Sequence, residues 1–173
     1  LLLYNGILHV TMPRGLGWCF SSIGKNIERC LQTIAMTQSY YKPIDYNLDG
    51  EEDLLYWRRL LLSLSGYEQY LKSYSNISHN RKIAQHVVFN KDFSHSVMYT
   101  LELIDKYLAN LSLDHTSHEA RTLQNQFGRL KSMVKYTDYY NLTNQQLEDV
   151  LNDTQSQLIQ FSSDFSKLFF SYT

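Results

Sequence analysis

The sequence predicts an all-α protein: an up-and-down helical bundle of about six helices, the last two forming a long antiparallel hairpin. Three observations predict it. Chain breakers are scarce, with 7 Gly and 2 Pro in 173 residues, which favours long helices over a turn-rich β protein. Apolar residues recur four and three apart along several segments, the spacing of one helical face. Capping boxes of the form Thr-x-x-Glu/Gln open the last two of those segments. Hydrophobic residues make up 43% of the chain, enough for one domain with its own core. Residues 1–173 are therefore read as a single helical domain. Within it, 1–15 is a lead-in or the remnant of a preceding half, 16–111 holds the first helices, and 112–173 is the C-terminal hairpin.

The first long helix should run from about Leu16 to Tyr40, with Leu16, Phe20, Ile23, Ile27, Cys30 and Ile34 as its apolar stripe. Lys42 to Gly50 is a polar loop holding Pro43. A second helix is expected from Glu51, with Glu51, Glu52 and Asp53 at its positive end. Its stripe is Leu54, Trp57, Leu61 and Leu64, and it should end near Gly66, followed by a short helical turn through Tyr67 to Tyr74. A third helix spans Asn80 to Phe89. A fourth runs from Ser94 to Leu111 on the stripe Val97, Leu101, Ile104, Leu108 and Leu111.

The fifth helix opens at Thr116 in the box Thr116-Ser117-His118-Glu119, and the sixth at Thr143 in Thr143-Asn144-Gln145-Gln146. The stripe of the sixth is long: Leu147, Leu151, Thr154, Leu158, Phe161, Phe165, Leu168, Tyr172. Such a period suits a helix lying nearly antiparallel to a neighbour. Arg121, Arg129, Lys131 and Lys135 make the fifth helix basic, whereas Glu148, Asp149, Asp153 and Asp164 make the sixth acidic. A short connection between them implies a hairpin with complementary faces.

A net charge of -1 lacks the basic excess of a nucleic-acid-binding domain. No apolar run reaches the ~18 residues of a membrane span. Neither nucleic acid nor membrane is expected as a partner. Cys19 and Cys30 would lie roughly 16 Å apart on one helix, beyond the reach of a disulfide. With the sequons at Asn76, Asn110, Asn141 and Asn152 read as compositional, a cytoplasmic protein is expected. The start, Leu1-Leu2-Leu3-Tyr4-Asn5-Gly6, has no initiator Met, no basic n-region and no small-residue cleavage site. It reads as a chain joined part-way through, not as a signal peptide.

Chemistry concentrates where the first helix begins. In Thr11-Met12-Pro13-Arg14-Gly15-Leu16-Gly17-Trp18, the proline marks a turn into the helix, and the glycines allow close approach to the backbone. Free amides, the positive dipole end and Arg14 together can hold a carboxylate or phosphate; a plain structural start to the helix is the alternative. Gly17, Ser21, Gly24 and Glu28 fall on one side, spaced four, three, four. A stripe of small residues implies a close helix neighbour, with Glu28 at the end of a tight groove. Trp18, Ser22, Lys25 and Arg29 form the adjacent stripe. Two readings stay open. Glu28 and Arg29 lock helices together through ion pairs, or Glu28 is a catalytic acid/base or a ligand-binding carboxylate, with Thr11, Arg14, Trp18, Lys25 and Arg29 lining an anion site.

Other chemistries find no matching pattern. His115 and His118 lie three apart beside Glu119, but no Glu has His three residues on, as a di-iron bundle requires. There is no Gly-x-Ser-x-Gly elbow, P-loop or dinucleotide fingerprint. No metal or cofactor is expected. Cys30 falls on the core stripe and reads as packing.

Thr11-Met12-x-Arg14, Gly17-Trp18-x-Phe20 and Ile23-Gly24-Lys25-x-x-Glu28-Arg29 resemble the bacterial alpha-E domain family, a helical family named for its Glu-Arg motif. The resemblance continues through Trp57, Leu60-Leu61, Gly66-Tyr67, and Ile83 to Phe89 with Ser96-Val97. It covers most of residues 11 to 111. Family members are commonly longer and carry a similar helix in a first half, so this chain resembles the second half. An absent half would leave apolar surface that favours a homodimer. Lys25 stands where the family usually has Arg, which bears on any bidentate anion contact. Asp92-Phe93-Ser94-His95-Ser96 lacks the Pro often found before the fourth helix.

Genes of the family tend to sit beside, or fuse to, ATP-grasp-type ligases and transglutaminase-like proteins. The resemblance therefore implies an accessory or scaffold module of a peptide-amide ligation or modification system, with such a ligase or transglutaminase-like protein as partner. The alternatives are an enzyme using Glu28 as acid/base in an anion-lined groove, and a self-associating bundle without a ligand.

Overall fold

A computed structural model describes residues 6–7, 10–50, 52–74, 79–112 and 118–170. Four long helices dominate it: α1 (Leu16–Tyr41), α5 (Val97–Ser112), α6 (His118–Lys135) and α7 (Asn144–Phe170). Three short ones lie between α1 and α5 in the chain: α2 (Leu54–Ser63), α3 (Tyr67–Ser73) and α4 (His79–Ala84). A 3-10 turn, Lys42–Ile44, follows α1, and a π turn, Gln85–Phe89, continues α4.

Side-chain pairs fix the helix directions. On α6 and α7, Phe127 packs on Phe161 with ring centroids 4.8 Å apart, and Gln126 Nε2 lies 3.5 Å from Asp164 Oδ2. Further along α6, Met133 Sδ is 3.7 Å from Gln157 Nε2. Advancing on α6 is retreating on α7, so the pair is antiparallel, as the hairpin reading expects. On α1 and α7, Phe20 meets Phe169 at 5.2 Å, while Gln38 Nε2 donates to Asn152 Oδ1 at 2.8 Å. On α1 and α5, Thr33 Oγ1 donates to the His95 carbonyl at 2.9 Å, and Cys30 neighbours Thr100. The long helices thus alternate down, up, down around α1, an up-and-down bundle. Trp57 of α2 is fully buried against Tyr41, ring centroids 4.7 Å apart, so the short helices pack at the C-terminal end of α1.

Most of each apolar stripe is buried where the periodicity places it, but Leu16, the first residue of the α1 stripe, is exposed at the helix start. Ile23, Ile27, Cys30 and Ile34 of α1 are buried, as are Leu147, Leu151, Thr154, Leu158, Phe161 and Phe165 of α7. The Thr143 capping box forms in both directions: Gln146 N donates to Thr143 Oγ1 at 3.2 Å and Thr143 N to Gln146 Oε1 at 2.9 Å. Replacing this cap, Thr143→Ala, should lower the unfolding free energy in urea by about 1 kcal/mol.

Several boundaries differ from the expected ones, each for a local reason. Helix α2 starts at Leu54 because Asp53, in extended backbone, caps it by accepting from Leu55 N at 3.2 Å; Glu51 lies outside the described residues. Helix α5 starts at Val97, not Ser94, because Ser96 Oγ accepts from Tyr99 N at 3.0 Å and its hydroxyl donates to the Asn90 carbonyl. The expected third helix divides into α4 and the π turn. Thr116, Ser117 and Tyr172 lie outside the described residues. The charges of the hairpin do not pair across it: Lys131 of α6 bridges to Asp105 of α5, and no ion pair joins α6 to α7 among the described residues. Gly66 is required by closeness, not by dihedral freedom, because a Cβ there would stand 2.6 Å from Phe93 Cζ.

Asn80 ties the short helices together. It is fully buried. Its Oδ1 accepts from Trp57 Nε1 at 3.0 Å and from Glu52 N at 3.2 Å, and its Nδ2 donates to the Asn47 carbonyl at 2.7 Å. Its own carbonyl accepts from the Tyr41 hydroxyl. Next to it, Arg81 clamps two loops, donating to the Leu142 carbonyl at 2.9 Å and pairing with Asp49 at 2.8 Å.

Candidate functional site

Helical geometry places Trp18, Lys25, Glu28 and Arg29 within about 100° of arc, nearly opposite the stripe Ile23, Ile27, Cys30 and Ile34. Burial of that stripe turns the charged residues outward. Lys25 and Glu28 are exposed, and Trp18 and Arg29 half-buried. Gly17, Ser21 and Gly24 are exposed as well. A Cβ on Gly24 would meet nothing within 4 Å, and one on Gly17 would meet the Met12 methyl at 3.2 Å. The close helix neighbour expected on this stripe is missing among the described residues, and with it the tight groove. Small side chains permit close approach, but the apolar stripe decides which face is packed.

Glu28 Oε1 accepts from Gln32 Nε2 at 3.2 Å, one turn further along its own helix. Among the described residues no ion pair involves Lys25, Glu28 or Arg29, so the interhelical lock expected of Glu28 and Arg29 is absent there. Arg29 faces the turn before α5, where its charge adds to burial in lowering the pKa of His95. Ahead of the helix, the Arg14 guanidinium lies over Trp18, 3.7 Å from the ring centroid, a cation–π stack. Thr11 Oγ1 donates to the Ile7 carbonyl at 2.8 Å. Gly15 precedes the first turn of α1 without a side-chain cap.

Among the described residues, the structure thus brings Trp18, Lys25, Glu28 and Arg29 to one side of α1, open at Lys25 and Glu28, with Arg14 laid on its aromatic member. Cavities of about 340, 480, 450 and 550 Å³ lie elsewhere on the molecule, and Glu28 lines none of these four. Cys30 is fully buried, its thiol pushed up to about 12 by burial against the opposing hydrogen bond to Thr100. This is packing, not a nucleophile.

Sequence reasoning did not find the polar centre of the π turn. His86 is fully buried. Its ring stacks on Phe93 at 4.4 Å and meets Tyr70 and Tyr74 edge-on at 5.6 Å. Nδ1 lies 3.3 Å from the Asn90 amide nitrogen, which can only donate, so the proton sits on Nε2. Nε2 faces the Gly66 backbone without a well-directed hydrogen bond. Burial lowers the pKa of this imidazole to about 4, against the Gly66 backbone, which raises it. The one sequence signal was a histidine directly before the apolar run Val87-Val88-Phe89.

No curated protein and no solved structure gives a match to this chain. A family model does match it, over residues 1–170, described as a predicted alpha-helical domain with a conserved ER motif. The chain contains a single Glu-Arg dipeptide, Glu28-Arg29, so the motif falls on the open side of α1. With helices throughout and the motif in place, the chain belongs to the alpha-E family.

Proposed function

We propose that this domain is an accessory helical module that docks a protein through the open side of α1, in a bacterial system that ligates or modifies peptide amides. The observation that carries the docking reading is the position of the conserved motif. Core packing explains a conserved apolar residue, but Glu28 is exposed and bonds to Gln32 of its own helix. A conserved charge on the surface is accounted for by what binds it. Trp18 with its stacked Arg14, and Arg29, supply the aromatic and guanidinium groups that anchor protein interfaces. Thr11 and Lys25 would lie at the rim of such a contact. The ligation system rests on the family resemblance, which points to an ATP-grasp-type ligase as the partner, with a transglutaminase-like protein as the second choice. That reading places the domain in the cytoplasm, where a ligase has ATP.

The test is binding of the full chain to the ATP-grasp-type ligase, measured by calorimetry. Glu28→Ala should weaken binding about tenfold while changing stability by no more than ~0.5 kcal/mol, as for an isolated surface side chain. Unaltered binding, or a stability loss near the ~3 kcal/mol of a broken buried pair, would refute docking through Glu28. A Glu28→Gln variant that kept full binding but abolished amide formation would make the carboxylate an acid/base instead.

A further inference from the structure

A cavity of about 340 Å³ opens between the π turn, the first turns of α5 and the C-terminal end of α6. Its size is at the small end of ligand pockets. The π turn, a backbone form often kept at functional sites, supplies Gln85 and Phe89 to the wall. Phe89 stacks with Tyr139 at 5.7 Å, and Met98 and Val134 extend this apolar side. Charges of both signs stand around it: Lys91 and Asp92 in the turn after Phe89, Glu102 on α5 and Lys135 in the last turn of α6. Among the described residues none of these four is ion-paired. Lys135 instead rests with its Nζ 5.4 Å from the Tyr136 ring.

A simple anion would satisfy the two lysines and leave the two acids unmatched, and a simple cation would do the reverse. A zwitterion with an apolar body satisfies both pairs and covers the aromatic wall. We propose that this cavity binds a free amino acid with a large apolar side chain. Its carboxylate lies toward Lys91 and Lys135, its ammonium toward Asp92 and Glu102, and its side chain against Phe89, Met98 and Tyr139. The site stands apart from the open side of α1 and does not depend on docking there.

Titration calorimetry on the full chain tests this, with L-phenylalanine and L-leucine as probes and phenylpropionate and phenethylamine as half-ligands. Saturable millimolar or tighter binding of L-phenylalanine is expected, with each half-ligand at least about tenfold weaker. Glu102→Gln and Lys135→Met should each weaken it about tenfold, and Lys106→Ala should not. The idea is overturned if neither amino acid binds, if a half-ligand binds as tightly, or if both cavity variants bind unchanged. Both substituted side chains are exposed, so their loss should spare the fold; if it does not, the half-ligand comparison on the unaltered protein decides.

Discussion

Asn80→Ala should lower the unfolding free energy by about 3 kcal/mol. Truncation leaves the fully buried Trp57 indole N–H without the acceptor it has at 3.0 Å, and takes the donor at 2.7 Å from the carbonyl of Asn47, an exposed residue. The orphaned indole costs roughly 1–3 kcal/mol, and the Asn47 carbonyl, which water can reach, costs less. The Glu52 amide, third of the partners, is half-buried and can turn to water. Asn80→Asp keeps both acceptor contacts but loses the donor, and sets a carboxylate against the Asn47 carbonyl; it should cost nearly as much. Trp57→Phe keeps most of the ring and should cost about 1–2 kcal/mol. Urea unfolding of both single variants and the double checks the arrangement. The double should lose less than the sum, because the two side chains share one hydrogen bond. A loss below ~1 kcal/mol for Asn80→Ala would remove the buried amide from its central role.

Nothing in the sequence pattern marks Asn80. Its partners stand 23, 28 and 33 residues away, and periodicity reads only what lies within a few turns. The long helices were legible for the converse reason. Their stripes and the Thr143 box are local, and local order survived into the fold because every stripe found a partner stripe. The π turn escaped because one extra residue in a helix leaves the apolar composition of Ile83 to Phe89 unchanged. The basic surface of α6 was legible as charge but not as a contact, since Lys131 found its acid on α5.

The motif helix illustrates the same division. Arg14, Trp18, Lys25, Glu28 and Arg29 stand out in the sequence by type and by family resemblance. Which way they face differs from the expectation, because the small-residue stripe lies about 120° around the helix from the apolar stripe, and the apolar stripe sets the packed face. A helix has one angular position in a bundle, and burial of Ile23, Ile27, Cys30 and Ile34 outweighs anything Gly17 and Gly24 gain by close packing. The exposure of Glu28 follows from that competition. Even so, the glycines have a consequence: without side chains they leave the α1 surface low beside Glu28, and a Cβ on Gly24 would meet nothing within 4 Å.

Between pH 6.5 and about 4 the fold should lose on the order of 3 kcal/mol because of His86. Its folded pKa of about 4 lies below the ordinary 6.5, so in this window the unfolded chain takes up a proton that the folded chain refuses. Stability is therefore complete above pH 6.5, falls by about 1.4 kcal/mol per pH unit below it, and levels off once both states are protonated. His95, lowered by burial and by Arg29, adds a loss of the same sign. Asp138 and Asp164 have pKa values held below the usual carboxylate value of 3.8 by amide hydrogen bonds, so their losses begin under pH 3.8, outside the window. Urea midpoints at pH 7, 5.5 and 4.5 measure the slope, and His86→Gln should flatten most of it while starting from lower stability at pH 7. Equal slopes in the two proteins would exclude His86 as the source. The physical reason is the lining of the site: the ring touches Phe93, Tyr70, Tyr74 and the Asn90 amide, none of which offers a negative charge. An imidazolium there can gain a counter-charge or water only by opening the π turn that holds it.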